Sequence, residues 1–252
     1  DNALIFQDSE DNEANRAYFL KLAKNVTQYL NEIGFEFCPA EMMASNPKWC
    51  LSLSEWKAQF KKWILSPTDD NVMLTTIFFD YDYIYGDEQL IHELTLSIDE
   101  LLKESPIFLK FLAKNAIQNP APLGFFRQFL VEQTGEHKDQ FDIKARAIMP
   151  FVDAARVLSL SQRIHVNNTL ERYKQLRDRE SQNAKLYEYC SQAFETLLRF
   201  RTQQGFENNT TGRFINLSKL SKLERQSLKD AFKTLKELQV LLQVRFQLAN
   251  FI

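Results

Sequence analysis

Two apolar runs bordered by carboxylates constrain the fold of this chain more than any other feature. Residues 1–6 begin on Asp1, and residues 72–80, rich in β-branched and aromatic side chains, end on Asp80. Both runs are typical of buried strands, in which side chains alternate between two faces. Acids presented at the edge of a sheet can hold metal ions, so the pattern predicts a two-metal site for phosphoryl or nucleotidyl transfer. Because the first run starts on an acid without an initiator Met, we expect a piece of a longer protein.

Composition excludes several classes of protein. Six glycines and no G-x-x-x-x-G-K or G-x-G-x-x-G motif argue against P-loop and Rossmann folds. A formal net charge of −2 gives none of the basic excess typical of nucleic-acid-binding domains, so we expect no nucleic-acid partner. The three cysteines match no zinc spacing and indicate a reducing compartment. No apolar run approaches the roughly 20 residues of a membrane span, and we expect a cytoplasmic protein without membrane contact.

The first part of the chain alternates strands and helices. After the first strand, a helix is predicted from apolar residues at helical spacing, namely Phe19, Leu22, Val26, Leu30 and Ile33. A capping box from Ser52 to Glu55 starts a second helix, and a third is predicted through 90–101 after the 72–80 strand. Ser105 and Pro106 are typical of a helix start, so we place a domain boundary there. The predicted domains are 1–104, with an α/β or α+β fold, and 105–252.

The second part of the chain is predicted to be mostly helical. Two strand-like runs, 125–131 and 140–147, flank a polar segment and indicate a hairpin. Beyond Pro150, apolar stripes at helical spacing predict four helices. Their predicted ranges are 151–164, 169–179, 186–206 and 220–246. The short or polar links between them favour a helical bundle.

An ordered set of short segments carries a family resemblance. In the first part of the chain these are residues 1–5, 38–39, 43–49, 77–80 and 86–87, and in the second part 122–126, 142–144, 150–156 and 168–172. Together they closely resemble the nucleotidyltransferases of bacterial signalling proteins that lie downstream of cyclic-nucleotide-binding and CBS domains. That family is similar to PII uridylyltransferase and glutamine-synthetase adenylyltransferase, within the polymerase-β-like superfamily. The resemblance covers essentially the whole chain and implies an α+β fold, with a nucleotidyltransferase domain followed by a mostly helical bundle domain.

The resemblance also implies a metal site. Asp1 matches the second Asp of the family's Asp-x-Asp motif, and Asp80 matches its third carboxylate. The Gly-Ser turn and the first Asp would lie upstream, so the first domain is expected to be truncated at its N-terminus. By resemblance, Asp1 and Asp80 are catalytic and hold Mg²⁺, which bridges the phosphates of a nucleoside triphosphate and stabilises the developing charge. We expect the two side chains to lie side by side on neighbouring strands.

Two further positions follow from the same comparison. Lys144 and Asp153 fall where related transferases carry a D-x-K strand followed by an acidic helix start, which makes Lys144 a candidate phosphate contact in the cofactor-binding site. Where the family usually shows an Arg two residues after the third carboxylate, this chain has Asp82. Asp82 either adds a metal ligand or repels the triphosphate.

Two functional hypotheses follow. In the first, the chain is a nucleotidyltransferase module resembling protein-PII uridylyltransferase. It would transfer a nucleoside monophosphate from a triphosphate to an acceptor such as a PII-like protein, under the control of upstream sensor domains. In the second, it is a catalytically inactive regulatory or interaction module that relays signals from those sensors. Asp82 favours the second hypothesis, and the presence of Asp1 and Asp80 favours the first.

Overall fold

The structure, a computed structural model, describes residues 1–119, 121, 131–132 and 134–250. It is mostly helical with few strands, which is consistent with the predicted α+β class. The strands of the described part are β1 (Leu4–Phe6), β2 (Cys50–Ser52), β3 (Phe141–Asp142) and β4 (Phe214–Ile215). Its α-helices are α1 (Asn12–Glu32), α2 (Leu53–Leu65), α3 (Asp69–Phe78), α4 (Glu88–Glu104), α5 (Pro106–Ala116), α6 (Met149–Ser161), α7 (Thr169–Arg179), α8 (Ala184–Asn208) and α9 (Lys222–Arg245). None of the helices in these ranges is both long and apolar enough to cross a bilayer.

The chain forms two compact units. Unit 1 comprises Asp1–Asn71 and Tyr83–Ser105, and unit 2 comprises Val72–Asp82 and Pro106–Ile252. Compared with the predicted first domain, 1–104, unit 1 lacks one internal segment and includes Ser105. That segment, Val72–Asp82, belongs to unit 2 and includes Asp80.

Unit 1 is built on a short parallel pair of strands. β1 and β2 pair in register from Leu4 opposite Cys50 to Phe6 opposite Ser52. Ser52 ends β2 and also caps α2 through the reciprocal bonds of a capping box, as the sequence predicted. The indole of Trp56 on α2 donates a hydrogen bond to the Leu4 carbonyl oxygen at 3.0 Å and so fixes the helix against the strand. The rest of the buried face of α2 consists of Leu53, Phe60, Trp63 and Ile64.

The apolar stripe predicted for α1 is only partly buried. Phe19 stacks on Phe6 of β1 with ring centroids 5.3 Å apart. Leu22, Val26 and Ile33, however, are 42%, 45% and 73% exposed, respectively. The buried side chains of α1 are instead Ala23 and Thr27, whose small size allows the helix to lie close to its neighbours. The helix itself is confirmed, but its buried face is not the predicted one.

Asp8 closes the carboxyl end of β1. Its carboxylate accepts hydrogen bonds from the Ser52 hydroxyl at 2.6 Å, from the Ser54 hydroxyl at 2.6 Å and from the Ser54 amide at 2.9 Å. Burial alone would raise the pKa of Asp8, but these bonds, with a further one from Asn12, lower it to about 2. Sequence reasoning singled out the acid at the start of this strand and missed the one after its end.

The low pKa of Asp8 predicts a specific acid response. A carboxyl group whose pKa is lower in the folded than in the unfolded chain stabilises the fold above the unfolded value, about 3.9. That contribution is lost as the pH falls through the folded pKa, about 2. Carboxyl ¹³C NMR titration should place the pKa of Asp8 at about 2, and Ser54→Ala should raise it towards its ordinary value. An unchanged pKa in the Ser54 variant would contradict the assignment.

The secondary structure of residues 72–80 is the main error of the fold predicted from the sequence. Instead of the predicted strand, they form most of α3 and the turn that follows it. The Thr75 and Thr76 hydroxyls donate hydrogen bonds of 2.7 and 2.6 Å to carbonyl oxygens one turn earlier. Asp69 and Asp70 in the first turn favour the helix through its dipole. Local polar contacts and packing therefore outweigh the strand propensity of the β-branched residues.

The helices predicted for the second part of the chain are confirmed in unit 2. α6, α7, α8 and α9 coincide with the four predicted helical ranges to within a few residues, and Pro106 begins α5 as expected. α7 packs against both α6 and α8, and α8 packs against α9. The Tyr173 hydroxyl donates a 2.7 Å hydrogen bond to the Phe151 carbonyl oxygen, which joins α7 to α6 inside the core.

The predicted hairpin is replaced by a different pairing. Residues 125–130 of its first arm lie outside the described residues. In its second arm, only Phe141–Asp142 is a strand, and it pairs antiparallel with β4 far along the chain. Lys144–Ile148 forms a π-helical turn that leads into α6. The predicted strand 140–147 is therefore wrong for most of its length, because the chain enters the helix early.

Two contacts secure opposite ends of α8. The Glu180 carboxylate, at the end of α7, accepts hydrogen bonds from Tyr187 of α8 at 2.7 Å and from both terminal nitrogens of Arg245 of α9. Near the other end of α8, Gly212 has φ +65°, and its backbone lies directly against the Arg201 carbonyl group. Only a residue without a side chain allows this approach.

Candidate functional site

A cluster of two arginines and two aspartates lies in unit 2. Arg156 of α6 donates from Nε to Asp80 Oδ1 at 3.0 Å and from Nη2 to Asp80 Oδ2 at 2.5 Å. Arg172 of α7 donates from Nη2 to Asp80 Oδ1 at 2.7 Å. Both oxygens of this carboxylate are therefore held by guanidinium groups. We call Asp80, Asp153, Arg156 and Arg172 the arginine cluster.

The local sequence places each arginine. Asp153 and Arg156 are one turn apart on α6, and Arg156 Nη1 donates to Asp153 Oδ1 at 2.5 Å. Arg172 lies in the first turns of α7, where the Asn168 side chain caps the helix. Its Nε donates to the Val166 carbonyl oxygen at 2.6 Å, which orients the guanidinium plane.

The turn that carries Asp80 is fixed on both sides. The Phe79 ring packs on Phe108 of α5 with centroids 5.9 Å apart. The Asn167 amide donates a 2.7 Å hydrogen bond to the Tyr81 carbonyl oxygen. The backbone on either side of Asp80 is thus anchored within the same unit, and its side chain is directed to the two arginines.

Burial shapes the charges of the arginine cluster. For Asp80, burial alone would raise the pKa, but the hydrogen bonds and charges of the two arginines lower it. For Asp153, burial prevails over the single contact with Arg156, and the pKa is raised. Burial lowers the pKa of Arg172, whereas at Arg156 the two carboxylates outweigh burial and raise it. Asp80 is therefore the firmly ionised carboxylate of the cluster.

One polar group of the arginine cluster has no partner. Arg172 Nη1 is buried and makes no hydrogen bond with any of the described residues. The Arg172 side chain is 3% exposed. A buried donor without a partner costs about 1–3 kcal/mol, and more when it is charged. The cluster therefore has more donors than its carboxylates satisfy.

The residues predicted for the site are only partly brought together. Asp80 and Asp153 both contact Arg156, which connects them. Lys144 is exposed at the start of the π-helical turn. Asp1 is exposed in unit 1, and Asp82 is exposed after the turn that carries Asp80. The sequence predicted that Asp80 lies on a strand beside Asp1. Asp80 instead follows the helix α3, so the predicted strand is wrong.

The carboxylate of Asp80 is not free to bind Mg²⁺ in this conformation. Among the residues that the structure describes, no three His, Cys, Asp or Glu side chains are grouped so that they could hold a metal ion. Both oxygens of Asp80 face guanidinium groups instead. Asp80 would have to leave both arginines before it could bind a metal ion.

Sequence reasoning gave no role to Arg156 and Arg172, although both lie in segments that carry the family resemblance. One signal was present in the sequence. Asp153 and Arg156 are charged residues one turn apart in an otherwise uncharged helix, and such pairs are seldom buried without partners. No comparable local signal links Arg172 to Asp80.

The comparisons with known proteins match two parts of the chain to two families. Residues 106–246 match the family described as Putative nucleotidyltransferase substrate binding domain, and this match alone covers more than half of the chain. Residues 1–70 match the family described as Putative nucleotidyltransferase DUF294. No curated protein and no solved structure matches the chain significantly. Asp153, Arg156 and Arg172 lie within the first match, and Asp80 lies between the two.

Proposed function

The chain belongs to the Putative nucleotidyltransferase substrate binding domain family, and from this membership we propose that it is a nucleotidyltransferase module of a signalling protein. In this proposal it transfers a nucleoside monophosphate from a nucleoside triphosphate to an acceptor, as protein-PII uridylyltransferase does. The match of residues 1–70 to a nucleotidyltransferase family supports the proposal from the other part of the chain.

The proposed architecture is a polymerase-β-like domain followed by a helical bundle that binds the substrate. The parallel pair of β1 and β2, with α2 packed on it, supports the first part. The successive packing of α6 to α9 supports the second. We further propose a cytoplasmic location, a PII-like or other protein acceptor, and upstream sensor domains in the longer protein.

The arginine cluster is the observation that carries the proposal. A domain that binds a nucleotide needs fixed positive charge for the phosphates, and arginine is suited to this because its planar fork binds two oxygens at once. Arg156 and Arg172 are both within the family match and both turned to one carboxylate. Mg²⁺ remains part of the proposal, with Asp1, Asp80 and Asp82 as its candidate ligands, but no step is assigned to it.

Calorimetric titration tests the proposed function. UTP and ATP are titrated into the protein with Mg²⁺ and then with a chelator, and we expect binding that weakens when the metal ion is removed. Asp1→Asn should weaken the metal-dependent part, because the amide removes a charge at nearly constant shape. Glu10→Gln, a change at another exposed acid of unit 1, should not. Absence of binding for every nucleoside triphosphate would favour the catalytically inactive regulatory module.

A further inference from the structure

We propose that Arg156 and Arg172 form a binding site for a polyphosphate group, and that Asp80 occupies this site as an internal substitute for that group. The inference rests on the proposed function for the identity of the ligand, which is the triphosphate of the nucleotide. It adds that the described conformation is one in which the chain blocks its own anion site.

The geometry of the arginine cluster is that of an anion held by two guanidinium groups. Arg156 binds Asp80 with a two-pronged contact from Nε and Nη2, and Arg172 binds from a second direction. Carboxylates and phosphates are bound by arginine in this same forked manner. The position of the Asp80 carboxylate is therefore one that a phosphate group can occupy.

The unpartnered nitrogen of Arg172 indicates which anion the site fits better. In Asp80, Oδ1 accepts from both arginines and Oδ2 accepts from Arg156, and neither oxygen accepts from Arg172 Nη1. A terminal phosphate group offers three non-bridging oxygens on a tetrahedral centre. The extra oxygen can reach a donor such as Arg172 Nη1, which is buried and has no partner among the described residues. A phosphate can thus satisfy a group that Asp80 leaves unsatisfied.

The exposure of the side chains indicates how a phosphate group replaces the Asp80 carboxylate. The side chains of Arg156 and Arg172 are 5% and 3% exposed, whereas that of Asp80 is 30% exposed. Asp80 therefore lies on the solvent side of both arginines. Because Phe79 and Tyr81 anchor the backbone, the exchange requires only that the Asp80 side chain rotates outward. α6 and α7 keep their positions.

Titration with inorganic triphosphate tests the proposal without nucleoside or metal ion. Asp80→Asn removes the competing carboxylate charge, and we expect it to bind triphosphate about tenfold more tightly than the unchanged protein. Adding Arg172→Gln to that variant should abolish the gain. Glu180→Gln is the matched control, since it removes the charge of another buried carboxylate held by an arginine fork, that of Arg245. This control should bind triphosphate as the unchanged protein does.

NMR of the unchanged protein provides a second measurement that does not depend on how well the variants fold. Triphosphate should shift the Nε–Hε signals of Arg156 and Arg172 and leave that of Arg245 in place. Unshifted signals, or equal affinities for the unchanged protein and Asp80→Asn, would overturn the proposal. If Mg²⁺ with UTP or ATP binds while these signals stay unmoved, the proposed function stands and this inference fails. If inorganic triphosphate binds at the arginines but no nucleotide does, the anion site stands and the proposed function fails.

Discussion

Replacing Arg156 with Gln should lower the free energy of unfolding by about 3 kcal/mol, because it leaves two partly buried carboxylates without their main partner. Arg156 is 5% exposed and makes three of the hydrogen bonds that hold the arginine cluster together. In the variant, Asp80 keeps its contact with Arg172, and Asp153 loses its contact with Arg156. Urea denaturation followed by circular dichroism measures the loss.

Asp153→Asn is the matched variant for this prediction. Burial has already raised the pKa of Asp153, so the fold tolerates an uncharged side chain there. The Asn side-chain oxygen can still accept the bond from Arg156 Nη1. We expect a loss of about 1 kcal/mol or less, well below that of Arg156→Gln. Equal losses in the two variants would show that Asp153, rather than Asp80, is the carboxylate that depends on Arg156.

Replacing Gly212 with Ala should cost at least about 2 kcal/mol, since it adds both strain and a steric clash. A Cβ atom at this position would lie 1.9 Å from the Arg201 carbonyl oxygen, and φ is +65°. The obstacle is backbone of α8 rather than a side chain that can rotate away. The turn that leads into β4 would therefore have to move off the helix. Thermal unfolding of the variant should show a clear fall in Tm.

Gly135→Ala separates the two contributions. Gly135 also has a positive φ, +81°, but a Cβ there meets nothing within 4 Å. Its substitution should cost only the backbone strain, about 1 kcal/mol. If both variants lose the same stability, the close approach of Gly212 to α8 has no energetic weight.

The helices could be predicted from the sequence where local signals agree. Ser52 with Glu55 is a capping box in the sequence and in the structure, and it marks the start of α2 correctly. Ser221 and Glu224 form a second capping box, which marks the start of α9. The prediction of α9 used only the apolar stripe of that helix. The failure at residues 72–80 has a physical cause. A short apolar run rich in Val, Thr, Ile and Phe has the composition of a strand. The spacing of its apolar residues alone cannot distinguish such a strand from a buried helix.

The candidate site could be predicted only in part, because its contacts join distant parts of the chain. Asp80 was singled out from the sequence, but its partners Arg156 and Arg172 lie 76 and 92 residues away. Spacing along a helix cannot reveal such pairs. A buried arginine and the carboxylate that satisfies it are separate in the sequence, and only packing brings them together.

The carboxylate of Glu180 couples three helices through a single group. It is held by Tyr187 of α8 and Arg245 of α9, and it lies where α7 ends. If any one of these helices moves away, the charged group that stays behind has few remaining partners in a largely buried position. Local opening of α7, α8 or α9 at this end therefore breaks contacts that all three helices share. This end of unit 2 should consequently exchange its amide hydrogens as one cooperative block, so that its helices do not fray one at a time.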